Sequence, residues 1–93
     1  MKVQLIKIDG STLDHPVPAP SRAIGEIKKL IGASTLDTVN LRDGRVMFVD
    51  DTSHDKELPV NPEATKLYQG VCRPGVQHQI RGDVAIARDA DFG

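Results

Sequence analysis

Residues 36–51, LDTVNLRDGRVMFVDD, constrain the fold more than any other stretch of the chain. Two apolar-rich runs flank Asp43-Gly44. Asp-Gly between such runs favours a two-residue hairpin turn, because both positions accept positive φ. That turn pairs Leu41 with Val46 and Val39 with Phe48 on one face, and Asn40 with Met47 and Thr38 with Val49 on the other. One face is apolar and the other mixed. A lone hairpin is marginal in water, so helices or further strands must cover it.

The flanking segments read as that cover. Residues 2–8 form a strand with Val3, Leu5 and Lys7 on one side and Gln4, Ile6 and Ile8 on the other, a pattern suited to cover on both faces. Asp9-Gly10-Ser11 marks a turn. Residues 13–20 carry Pro16, Pro18 and Pro20, which excludes a helix and argues against a central strand; an extended surface connector, anchored by Val17, is expected. Ser21 then caps a helix whose apolar stripe is Ala23, Ile24, Ile27, Leu30 and Ile31, with Lys28 and Lys29 near its end and Gly32 at C′.

Past the hairpin, Asn61-Pro62 pairs a preferred cap with proline at N1. Ala64, Leu67, Tyr68 and Val71 continue at helical spacing, which predicts about two turns. Arg73-Pro74-Gly75 ends that helix. Residues 83–88 read as the last strand, with Val84 and Ile86 on one side and Ala85 and Ala87 on the other, small enough to meet a packed helix. The expectation is an α+β (mixed α/β) fold: one compact domain over residues 1–93, with a sheet of about four strands, a central Asp-Gly hairpin and two covering helices.

Twelve basic and thirteen acidic residues balance to a net charge of −1, without the basic footprint of a general polyanion binder. A local basic pocket for one phosphate remains compatible with that balance. Two Phe, one Tyr and no Trp leave almost no stacking platforms for single-stranded nucleic acid. Cys72 is the only cysteine, so neither an intrachain disulfide nor a Cys-based zinc cluster can form. No apolar run reaches membrane-spanning length and no secretory h-region opens the chain, so a cytoplasmic protein without membrane association is expected.

The densest polar region runs from Tyr68 to Asp83. Arg73, His78 and Arg81 near glycines can compose an anion site, with Tyr68 as a stacking wall, suited to a phosphorylated small molecule or nucleotide. The competing reading has Arg73 and Arg81 solvated or paired with Asp83. Cys72 and His78 have the types of a nucleophile and base, yet a small buried thiol accounts for Cys72 more simply. Asp50, Asp51, His54 and Asp55 match metal ligands only in composition; a solvated loop is expected, with no metal and no cofactor. Met47 and Val49 form a sticky interface patch if the hairpin's second face is open, and ordinary core if the second helix covers it.

Gly32, Leu41, Asp43-Gly44, Val46, Val49-Asp50-Asp51, Leu58-Pro59-Val60-Asn61-Pro62 and Ile80…Gly82-Asp83-Val84 together resemble the small DUF3846-like proteins of bacteria and bacteriophages, over roughly residues 24–88. Asn61 and Gly82 occupy positions that match that pattern; Pro62 stands where such proteins often carry arginine. The resemblance implies a phage- or mobile-element-related accessory role and no catalytic residue. With no nucleophile–base–orienter set in view, the expected function is non-enzymatic, through protein binding or homo-oligomerisation. Sequestration of a phosphorylated small molecule or nucleotide is the alternative.

Overall fold

The structure is a computed structural model that describes residues 2–17, 20–41, 44–52, 56–71 and 79–88. Five strands and two helices follow in the order β1 (Lys2–Ile6), β2 (Thr12–Pro16), α1 (Pro20–Ile31), β3 (Leu36–Asn40), β4 (Arg45–Asp50), α2 (Pro62–Val71) and β5 (Val84–Arg88). They build a small mixed α/β fold around one sheet of order β2-β1-β5-β4-β3, every neighbouring pair antiparallel.

The sheet is covered on both faces. Val3, Leu5, Val46, Phe48, Ala85 and Ala87 pack with Ala23, Ile27 and Ile31 of α1. Ile6, Met47, Val49, Val84 and Ile86 pack with Ala64, Leu67, Tyr68 and Val71 of α2. Period-2 alternation sends successive residues to opposite sides. This is why β1 and β5 are apolar at consecutive positions, and why the alanines of β5 meet α1 as their size predicts. α1 ends in a Schellman motif: Gly32, at φ 69°, donates to Lys29 O, and Ala33 N–H reaches back to Lys28 O at 2.8 Å.

Several expectations are corrected. The sheet has five strands, because Thr12 and residues 13–16 of the supposed connector pair with β1. β2 is an edge strand, where a proline is tolerated, since an outward position needs no ladder N–H. The hairpin forms the opposite edge, and β5 takes the centre. α1 begins at Pro20, one position before the expected cap Ser21, with proline where its missing N–H is harmless. Ile24 turns off the buried stripe and is 40% exposed. α2 runs ten residues, longer than two turns.

The hairpin register is shifted by one. Thr38 pairs with Phe48 and Val39 with Met47, and Leu41 N–H donates to Arg45 O at 2.8 Å. Positions 42–44 therefore lie between the last paired residues, and Gly44 has φ 82°. A three-residue connection ending in a left-handed glycine competes with the two-residue turn. A one-residue shift exchanges faces: Val39 joins Met47 and Val49 beneath α2 instead of facing Phe48. Asp43 itself lies outside the described residues.

Candidate functional site

Of the expected anion site, Arg81 and Tyr68 lie among the described residues. Arg81 is half-buried, and its Nη1 donates to Leu58 O at 3.0 Å; its backbone bridges to Val60. Tyr68 is half-buried against the apolar cluster beneath α2. Asp83 accepts from Ile8 N–H at 3.1 Å instead of pairing with Arg81. Arg73 and His78 lie outside the described residues, as do Cys72, His54 and Asp55. Met47 and Val49 are 0% and 8% exposed. They are core beneath α2 and not an interface, because the register turns both toward that helix.

The first turn of α2 instead holds the chain leading into β5. Asn61 is fully buried and uses every side-chain group it has. Its Oδ1 accepts from Ala64 N–H at 3.1 Å, the N-cap bond. Its Nδ2 donates to Ile6 O and to Gly82 O, each at 2.9 Å. One turn on, Thr65 Oγ1 accepts from Ile80 N–H at 3.0 Å and donates to Ile80 O at 3.3 Å. The sequence pattern marks Asn61 as a cap, but the duties of its amide nitrogen and of Thr65 depend on partners 15 to 55 residues away.

Asp50 is likewise buried, where a solvated loop carboxylate was expected. Its side chain is 1% exposed, and Lys56 Nζ stands 2.8 Å from Oδ2. Thr52 N–H and Oγ1 both donate to Oδ1 at 2.8 Å, and Lys56 also reaches Gly32 O at 3.3 Å. Burial, the largest influence, pushes the carboxyl pKa up; the Lys56 and Thr52 bonds together outweigh it and leave the pKa below its ordinary 3.8. The cluster ties the end of β4 to the end of α1. Among the described residues no group of three or more His, Cys, Asp or Glu is placed to hold a metal ion, and no helix is long and apolar enough to cross a membrane.

The two sheet edges differ in ways that bear on partners. Across β3–β4, Leu41 N–H and Asp51 N–H donate to Arg45 O and Thr35 O, so odd-numbered β3 residues face β4 and even-numbered ones face outward. The outward Thr38 N–H is taken by Asp37 Oδ1 at 2.8 Å, which blunts that edge. Across β1–β2, Lys7 N–H donates to Ser11 O, so Thr12, Asp14 and Pro16 face outward. Pro16 brings no donor, and its carbonyl accepts from His15 Nδ1 at 2.8 Å, which requires the Nδ1–H tautomer. Beside the outward groups of Thr12 and Asp14 stands Leu13, 54% exposed. No family model, curated protein or solved structure matches this chain.

Proposed function

We propose that the chain is a non-enzymatic accessory protein that self-associates by pairing β2 with β2 of a second copy. The observation that carries this reading is Leu13, the most exposed large apolar side chain described, on an edge strand with outward backbone donors at Thr12 and Asp14. A two-fold axis through Leu13 sets Leu13 against Leu13 of the second copy in a close, non-hydrogen-bonded pair. Thr12 then exchanges backbone bonds with Asp14 on both sides. A shift of one residue in each copy opposes Asp14 to Asp14 and Thr12 to the donorless Pro16, so electrostatics and donor count favour the first register. The resemblance to phage-associated proteins supports a cytoplasmic accessory role for such an assembly.

Pairing over so few residues buries less than a standard interface of about 1,600 Å², so the dimer is weak and concentration-dependent. Light scattering after size exclusion, over a concentration series, tests it. The mass rises toward two chains for the native protein and stays at one for Leu13→Lys and for Asp14→Pro, which deletes an outward donor without touching the β1 ladder. A constant single-chain mass, or a dimer that survives both substitutions, rejects the reading.

A further inference from the structure

His15 stands on β2 opposite Val3, on the α1 side of the sheet, and is half-buried. The Pro16 carbonyl points outward, so the ring that donates to it from Nδ1 leans over the open edge. With its proton on Nδ1, a neutral ring presents Nε2 as a bare acceptor. Ser11 continues the β2 register against Lys7 and shares the side of Leu13 and His15. Its Oγ donates to Asp9 Oδ1 at 2.6 Å, which uses the only proton of the hydroxyl and leaves lone pairs toward the exterior. The Ser11 bonds, the hydroxyl's above all, hold the Asp9 carboxyl below its ordinary 3.8, so Asp9 is charged near neutrality.

The register that sets Leu13 against Leu13 of a second copy also sets His15 against Ser11 of that copy, twice by symmetry. Ser11 N–H is held by Asp9 Oδ1 and its carbonyl by Lys7, while His15 turns its backbone to β1. The cross-copy pair is therefore of the narrow, non-hydrogen-bonded kind, with Cα atoms about 4.5 Å apart and side chains at their closest. A neutral ring there brings Nε2 against the lone pairs of Ser11 Oγ, acceptor against acceptor. A proton on Nε2 turns the ring into a donor to Oγ and sets a positive charge beside Asp9. Around the ring, Val3 and Leu13 are apolar, and Lys2 and Asp14 project to the opposite face. Among the described residues, none of the charged side chains of α1, Arg22, Glu26, Lys28 and Lys29, bonds to His15. Lys7 of the second copy lies one strand beyond Ser11, about 10 Å from the ring, where salt screens its repulsion.

We infer that protonation of His15 gates self-association, so that the dimer tightens in mildly acid solution and loosens as pH rises through the imidazole range. This inference rests on the β2 pairing proposed above. The paired state binds the Nε2 proton more tightly than the free chain, so each dimer takes up as many as two protons as it forms. The added affinity is complete below the titration of the free imidazole and is lost as pH climbs past that of the paired one.

Sedimentation equilibrium of the full chain between about pH 5.5 and about pH 7.5, at constant ionic strength, reads the dimer dissociation constant. It should rise at least about tenfold with pH, for two charge-assisted bonds per dimer. His15→Gln should flatten the profile, since a side-chain amide donates at every pH. Asp9→Ser removes the facing charge and should shrink the pH dependence, a second reading should His15→Gln fold poorly. A dimer whose dissociation constant is flat over that range, or whose pH dependence survives both substitutions, overturns the gate and leaves β2 pairing standing. A single-chain mass at every pH overturns both readings.

Discussion

Asn61 and Ile6, 55 positions apart, are joined by a buried hydrogen bond of 2.9 Å from the Asn61 amide nitrogen to the Ile6 carbonyl. The same nitrogen holds Gly82 O, while the amide oxygen caps α2. One side chain thus fastens the end of β1, the approach to β5 and the start of α2. An amide does this because it offers two donors and an acceptor without charge.

Asn61→Ala removes the cap and both amide bonds to Ile6 O and Gly82 O. A loss of roughly 2–4 kcal/mol is expected, summing a cap with two buried hydrogen bonds, and urea denaturation measures it. Asn61→Asp preserves the cap acceptor but sets a carboxylate against two carbonyl oxygens. Its deficit should shrink at low pH, where a protonated carboxyl can donate to one of them.

Asp50 predicts an acid limb. Its folded pKa lies below the ordinary 3.8, so its contribution is complete above that value and is lost as pH falls below 3.8 through the folded value. Thermal melts of Asp50→Asn should show a shallower loss in that window. Lys56→Met strips the buried carboxylate of its cation and should move the loss to higher pH; an unchanged midpoint would falsify the pairing as the cause.

Gly82 has φ 80°, and a Cβ built there would lie 2.9 Å from Leu58 Cδ1. Leu58 can swing away, but the left-handed backbone remains. Gly82→Ala should therefore cost roughly 1–2 kcal/mol, and adding Leu58→Ala should not restore native stability in chemical denaturation.

Met47→Ala opens a cavity beneath α2 and should cost about 2–5 kcal/mol without altering the association seen by light scattering. A loss of association at unchanged stability would mean that the residue meets another chain.

Asp37→Ala frees the outward Thr38 N–H on β3. Stability should change by less than about 0.5 kcal/mol, as for other surface substitutions, while scattering at high concentration should rise as a second edge becomes open to pairing.

Local chemistry was readable along the chain wherever a residue answers only to its neighbours. Gly32 as a helix stop, Asn61-Pro62 as a helix start and the alternation of β5 follow from φ preferences, capping and side-chain period, which act over a few positions. Arg81 and Asp83 bond to Leu58 and Ile8, partners that chain order does not reveal, while Arg73 and His78 of the expected anion site lie outside the described residues. Tertiary packing alone decided that residues 12–16 are an edge strand, that the hairpin is one residue out of the Asp-Gly register and that Met47 is core. Strand order and register depend on which apolar surfaces shield one another across the whole chain, a collective balance that no short window of residues contains.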